Sequence, residues 1–325
     1  MRYLILGDSH LGIYGNNEIW HNIVFRLFQE IHDKMARENI HHMIHLGDFF
    51  HDRKALNIKS LELSFAIADM FSDCIMTIIV GNHDTFYKNK VDPTSLQIFN
   101  KYENIHVIKE TTIMNDITLV PWLGKIEKPT KFCMGHLELN GFSMNNSYIC
   151  SKGGDPTVYK DFEHVMSGHF HTPSSGNNIT YIGSPYQQTF HDIDSVRGYY
   201  IFDDGDLEFI EFVDSPKFIK IHTKDNDLDE SDIKGNVVKL IFDENYGTVK
   251  NEEIVSTVSS FKPIRLDIDF SNVSIVDDDM EDLDDGDQDL LDHSDIIESY
   301  VKEHVKVPEH MSKERLLNII NLLSS

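Results

Sequence analysis

The sequence predicts an α/β fold with its chemistry at the carboxyl ends of strands, and three observations carry that expectation. Short β-rich apolar runs recur at Tyr3–Leu6, Met43–Leu46 and Ile75–Val80, and each leads into a glycine followed by polar residues. Stretches with apolar residues at helical spacing separate these runs. From Ile105 onward the pattern changes to a series of short strands. A polar residue at the mouth of a buried strand is where open α/β sheets place ligands.

The first strand opens onto Gly7-Asp8-Ser9-His10-Leu11-Gly12. Asp8 and His10 are two apart, so in an extended segment their side chains share a side, which suits two ligands on one metal ion. Glu18–Glu38 carries Ile19, Ile23, Leu27, Phe28, Ile31 and Met35 at helical spacing and reads as an amphipathic helix. The second strand delivers Gly47-Asp48-Phe49-Phe50-His51, and Asp48 is the residue to place between two metal ions. His41, His42 and His45 precede or lie inside that strand and read as structural. A helix over Ile58–Phe71 follows, then the third strand and Gly81-Asn82-His83-Asp84. Asn82 offers a neutral carbonyl ligand; His83 offers a proton donor or a contact to a phosphate oxygen. Asp84 reads either as a group orienting an imidazole or as a turn stabiliser.

Beyond a helical stretch at Ser95–Tyr102, strands are expected at Ile105–Ile108, Ile117–Pro121 and Lys131–Met134, the last running into Gly135-His136. Asn140–Tyr159 is rich in Gly, Ser and Asn and reads as a long loop, which in a compact domain is usually functional. Val165-Met166-Ser167 leads to Gly168-His169-Phe170-His171, a second pair spaced by two. Ile179–Ile182, Gly198–Phe202 and Leu207–Phe212 complete the strands of this region. Gly47-Asp48 and Gly81-Asn82-His83-Asp84 are each, alone, ordinary turn chemistry, while His169 and His171 are a metal signal by themselves. Five such strand ends together are more than turn chemistry. Mixed imidazole and carboxylate ligands suit Mn, Fe or Zn, and two ions roughly 3.5–4 Å apart sharing a carboxylate suit in-line attack on phosphorus.

Composition narrows the classes. The chain has 325 residues, 40% hydrophobic and 26% charged, as expected of a soluble globular protein with more than one domain. No apolar run approaches the roughly 18 residues of a membrane span, and the N-terminus already reads as a strand, not a secretory signal. Three cysteines without close spacing point to a reducing, cytoplasmic compartment. The net charge of −25 argues against simple electrostatic binding of nucleic acid. Twelve of the acids lie in Asp277–Glu298, which holds no Lys or Arg, and the remainder of the chain is still acidic. A phosphate-bearing substrate therefore needs cations in the site or a basic partner.

The run Asp-x-His, Gly-Asp-x-x-His, Gly-Asn-His-Asp, Gly-His and Gly-His-x-His resembles the full signature of the calcineurin-like metallophosphoesterases. Asp8–Gly12, and Tyr181–Phe190 followed by Gly198-Tyr199, resemble the SbcD / MRE-eleven DNA repair nucleases, over about residues 1–215. Compactness and acidity resemble the phage-encoded branch, which would place the chain in a host cytoplasm. The resemblance implies a four-layer α-β-β-α sandwich at 1–215. It implies one metal on Asp8, His10, Asp48 and His171, and another on Asp48, Asn82, His136 and His169, with manganese as the ion. His83 and His51 would then be catalytic groups on the substrate side, His83 as the proton donor to the leaving oxygen.

The later chain reads as a small αβ domain over 216–276, with strands Phe218–Thr223, Val237–Phe242 and Ile264–Phe270 and a helix Glu252–Ser260. It stands where the family carries its DNA-binding cap, and a structural role fits its residues equally. An acidic linker spans 277–294. Ile296, Ile297, Tyr300, Val301 and Val305, then Leu316, Leu317, Ile319, Ile320 and Leu323, form helical stripes that read as a partner-binding segment, 295–325, or as packing on the chain's own core. The resemblance implies an SMC-like ABC ATPase of SbcC type as that partner, double-stranded DNA ends and single-stranded DNA as substrates, and a homodimer through the helices near Ile58–Phe71 and Ser95–Tyr102, where Leu61, Phe65 and Ile98 read as a shared apolar face or, equally, as packing on their own sheet. The competing readings are a phosphodiesterase or phosphatase acting on a small molecule or phosphoprotein, and a metal-free scaffold.

Overall fold

The computed structural model describes residues 2–145, 148–224 and 229–271. The acidic linker and the C-terminal helical stripes lie outside the described residues. Met1–Ser274 makes one compact unit.

Four parallel strands form the centre of the first sheet: β1 (Arg2–Leu6), β2 (His42–His45), β3 (Ile75–Ile79) and β4 (Ile105–Ile108). Antiparallel β13 (Gly198–Asp203) and β14 (Asp206–Glu211) extend it beyond β1, giving six strands. The second sheet is built on parallel β6 (Ile117–Val120), β7 (Phe132–His136), β10 (His164–Gly168) and β12 (Ile179–Tyr181). Antiparallel β5 (Thr112–Met114) and β11 (Ser174–Gly176) form its edges.

Strand alternation assigns the layers. Leu4 and Leu6 of β1 face the core shared with the helices, whereas Tyr3 and Ile5 enter the apolar layer between the sheets. Across that layer they meet Phe132 and Met134 of β7 and Met166 of β10. Cys133 and Val165 point to the outer face of the second sheet. Both faces of these strands are covered, which is why they read as continuous apolar runs.

The helix Glu18–Glu38 starts where Asn17 accepts the amide of Ile19 and ends at Asn39 in left-handed conformation, φ 52°. Ile23, Leu27, Phe28, Ile31 and Met35 are buried as the spacing requires. Ile19 differs: it is 40% exposed, and Trp20 takes the inward place in the first turn. The helix Ile58–Met70 is capped by Asn57, and Phe71 closes it as a buried C-cap. Ser95–Lys101 is a 3-10 helix, with the Thr94 hydroxyl accepting the amide of Leu96.

Residues 140–159 differ most from expectation. Instead of a free functional loop they contain a hairpin of β8 (Ser143–Asn145) and β9 (Tyr148–Ile149) and a 3-10 turn, Pro156–Tyr159. Phe142, Cys150 and Tyr159 pack against Val165 and Tyr181, so this segment is the outer cover of the second sheet. Its Gly, Ser and Asn residues serve the turns between apolar anchors.

The small αβ domain is a parallel sheet of β15 (Phe218–His222), β16 (Val237–Ile241) and β17 (Arg265–Asp269), with a helix over Thr248–Ser260. Its own core holds Ile233, Val238, Leu240, Phe242 and Val258. Phe218 joins it to the two-sheet body: the ring stacks 5.9 Å from Trp20 and its amide donates to Gln187 Oε1 at 2.7 Å. All three cysteines are free and buried. Among the described residues no helix is long and apolar enough to cross a membrane.

Candidate metal centre

The loops leaving β1, β2 and β3 meet those leaving β7 and β10 where the two sheets share a mouth. The pairs spaced by two do not lie in extended segments. Asp8 (φ 53°), His10 (φ 44°), Asp48 (φ 55°) and His169 (φ 88°) all adopt left-handed backbone. Such conformations cost about 1–3 kcal/mol each and persist only where the surroundings impose them. The curl is what turns the side chains back into the mouth. It also parts His169 from His171, which extended backbone would have kept together.

Several buried groups hold those loops. Asp84 Oδ2 accepts the amides of Asp48 and Gly81, both at 2.9 Å, and Oδ1 accepts that of Phe50 at 3.1 Å. Asp84 therefore ties backbone to backbone and orients no imidazole. From the other side Gln188 Nε2 donates to the Asp8 carbonyl at 2.9 Å, and the Tyr186 hydroxyl donates to the Ser9 carbonyl at 2.7 Å. That segment is pinned by a buried ion pair, Arg197 to Asp192 at 2.6 Å, whose other carboxylate oxygen accepts the amides of Gln188 and Thr189.

Two donor sets face each other across Asp48. Asp8, His10 and His171 form one, with the Nε2 atoms of His10 and His171 3.0 Å apart. Asp48, His136 and His169 form the other. Asn82 Oδ1 belongs with it, 2.8 Å from both His136 Nε2 and His169 Nδ1. Asp48 reaches both sets: Oδ1 lies 3.4 Å from His136 Nε2 and Oδ2 lies 3.7 Å from His10 Nε2. His51 and His83 stand together at the opening with stacked rings, and each also contacts His10. All nine expected site residues are thus brought together. His45 is not among them; it is buried behind the site with Nε2 on the Ser9 hydroxyl, and its role is structural.

The electrostatics are those of a site that wants positive charge. Burial, reinforced by Asp48, pushes the Asp8 carboxyl up to about 8. Burial lowers the imidazoles of His169 to about 3 and His171 to about 4, and pushes His10 well below its ordinary value. These rings stay neutral, with lone pairs available. His136 runs the other way: burial opposes its charge, but Asp48 and Asp8 outweigh it and raise the imidazole to about 9. Its Nδ1 donates to the Leu46 carbonyl at 2.7 Å, so whatever sits on Nε2, between two acceptor oxygens, must be a proton or a metal ion. Neutral imidazoles, buried carboxylates and an amide oxygen converging in this way fit divalent cations.

The sequence matches the calcineurin-like phosphoesterase family over residues 1–173. This chain belongs to that family. The phosphoesterase is 36% identical over 230 residues to exonuclease subunit 1 of Enterobacteria phage T4, covering 66% of this chain and 67% of that protein. The nuclease MPE of Pseudomonas putida shares 15% identity at a TM-score of 0.35, over 64% of this chain and 87% of that one. Membership makes the chain an enzyme of phosphoester hydrolysis that uses divalent metal ions, in accord with its donor sets.

Two features escaped the sequence. The Asp192–Arg197 pair has no signal there, since Asp192 looks like any loop acid. Trp122 lies 5.2 Å from the His169 ring and 6.2 Å from that of His136, and its place just after the strand Ile117–Val120 was the available clue.

Proposed function

We propose that this phosphoesterase is a manganese-dependent DNA exonuclease and endonuclease, the nuclease subunit of an SMC-like ATPase complex acting in double-strand break processing and recombination. The observation that carries the reading is the pair of donor sets placed on either side of Asp48, with two further histidines at the opening. On this reading Asp8, His10, Asp48 and His171 hold one ion, and Asp48, Asn82, His136 and His169 hold the other. Bound there, such ions supply charge against the phosphate and a water acidified toward neutrality.

The chain's own side chains do the rest. His83 Nδ1 donates to the His51 carbonyl at 2.7 Å, which fixes the ring and leaves Nε2 as the atom that delivers a proton to the leaving 3′-oxygen. His51, its ring 5.5 Å from that of His83, contacts the scissile phosphate. The likeness to the phage T4 exonuclease subunit supports DNA as substrate and a companion subunit. Residues 295–325 are the segment we assign to an ATPase of SbcC type. The half-buried Leu61, Phe65 and Ile98 are the face we assign to a homodimer.

The test compares manganese-dependent release of nucleotides from duplex DNA ends with hydrolysis of bis-p-nitrophenyl phosphate. Nucleotide release is the expected result. Hydrolysis of the chromogenic diester with no release from DNA would favour a phosphodiesterase for small molecules.

A further inference from the structure

Beside the metal centre lies a basic, aromatic surface that the cleavage chemistry leaves unused. The loop Thr85–Lys90 grows directly out of Gly81-Asn82-His83-Asp84, and the Thr85 hydroxyl donates back to the Asn82 carbonyl at 3.1 Å. At its tip Phe86 and Tyr87 are 43% and 48% exposed, their rings edge to face at 4.8 Å. Lys90 Nζ lies 5.7 Å over the Tyr87 ring. Trp122 comes from the second sheet and joins this loop by donating Nε1 to the Lys88 carbonyl at 3.4 Å. Trp122 also touches the rings of His169 and His136, so it stands between this loop and the donor set.

Charge gives the surface its sign. Residues 85–91 contain Lys88 and Lys90 and no acid, in a chain of net charge −25. A cleft of about 430 Å³ beside Trp122 adds Lys125 and Lys128. Lys109 in the same cleft is taken by Asp92 at 3.0 Å, and Glu110 and Glu127 offset part of the remainder. On the other flank of Trp122 a cleft of about 260 Å³ runs past His136. The loop is also held in shape: Thr85 pairs with Thr94, and the Phe86 amide donates to the Pro93 carbonyl at 3.0 Å.

We propose that Phe86, Tyr87 and Trp122 form a stacking platform for the bases of an unpaired DNA strand, with Lys88, Lys90, Lys125 and Lys128 holding its phosphates. The proposal rests on the nuclease reading and gives it a direction, since the strand passes the centre on the His136 and His169 side. Exposed aromatics interleaved with lysines are what a sequence-tolerant single-strand site requires, because every base has a stacking face. A duplex offers that surface only phosphates, its bases being stacked already. A platform fixed before binding spends little on ordering.

The test is binding of a fluorescein-labelled oligothymidylate to the full-length protein by anisotropy, without added divalent ion, against a blunt duplex of equal length. Phe86→Ala should weaken single-strand binding roughly five- to hundredfold, and Phe86→Tyr should preserve it. The double substitution Lys88→Ala, Lys90→Ala should lower the slope of log Kd against log salt by about 1.4. Trp122 is one of two tryptophans and Trp20 is buried, so the oligonucleotide should quench emission in the wild type and not in Trp122→Phe. Wild-type Kd in the Phe86 and lysine variants, with DNA digestion intact, would overturn the platform and leave the nuclease reading standing. Equal losses on duplex and single strand would overturn the choice of an unpaired strand. A wild type that neither binds nor digests DNA, yet hydrolyses bis-p-nitrophenyl phosphate, would remove the nuclease reading and the platform with it.

Discussion

Gly47→Ala isolates the packing behind the metal centre. Gly47 sits at φ +97°, and a Cβ there would lie 2.4 Å from His136 Nδ1, 2.8 Å from its Cγ and 2.9 Å from the Gly81 Cα. Ordinary contact begins near 3.4 Å, so the imidazole must retreat by about 1 Å or the loops must part. Neither is easy. The ring is buried and tied to the Leu46 carbonyl at 2.7 Å, and the Gly81 atom is backbone. Overpacking costs about 1–3 kcal/mol and left-handed backbone for alanine about 1–2 kcal/mol, so a loss of about 2–5 kcal/mol is expected. For a unit of this size that corresponds to a Tm lower by roughly 3–9 °C. Gly15→Ala is the control, since Gly15 also has positive φ, +67°, with nothing within 4 Å of the added carbon. It should show the backbone part alone. Thermal unfolding reads the stability, and titration with manganese reads the sites. The set of Asn82, His136 and His169 should weaken while that of Asp8, His10 and His171 survives. A Gly47→Ala protein with wild-type Tm and full affinity at both sites would refute the reasoning.

Four further outcomes are expected. His83→Ala should keep both ions and lose most DNA cleavage, roughly 10²–10⁴-fold for a missing proton donor, and His51→Ala should also retain metal; loss of bound manganese in either would mean that ring is a ligand. Asp48→Asn should lower affinity at both sites together, and calorimetry that finds one site intact would show that Asp48 does not bridge. Burial pulls the His45 imidazole down from its ordinary 6.5 to about 3. Below pH 6.5 the unfolded chain therefore binds the extra proton and stability falls; His45→Gln should remove about 1.2 kcal/mol of the loss between pH 7 and pH 5.5, measured by urea unfolding. Deleting residues 295–325 should spare manganese-dependent cleavage by the subunit alone and abolish co-purification with the ATPase, and retention at full affinity would move the docking site elsewhere.

Much of this was legible because the apolar runs and the motifs coincide. Leu4, Ile5, Met43, Ile44, Met76 and Ile79 are buried on both faces, so the strands announced themselves, and the glycine after each marked its mouth. The donor residues were legible as types at strand ends. Their conformation was not. Left-handed backbone at Asp8, His10, Asp48 and His169 is imposed by partners far away in the chain, such as Gln188 on the Asp8 carbonyl, and no local pattern encodes it. Asp84 was open for the same reason, since only the fold shows that three amides converge on it. Residues 140–159 misled because turn-forming residues outnumber the few apolar side chains, Phe142, Cys150 and Tyr159, that decide where the segment lies.

Asp8, Asp48 and Asn82 are carried by one sheet, and His136, His169 and His171 by the other, with hydrocarbon filling the gap behind them. The spacing of the inorganic site is thus set by an organic gauge: Ile5, Ile44, Leu46, Met134 and Met166 fix how far apart the two carriers stand. Close-packed interiors transmit a methylene's worth of change as displacement rather than absorbing it. A conservative swap in that layer, remote from any reacting atom, therefore retunes the grip on the ions before it unfolds anything. Those aliphatic side chains therefore bear on the distance between the two sets of donors from the middle of the protein.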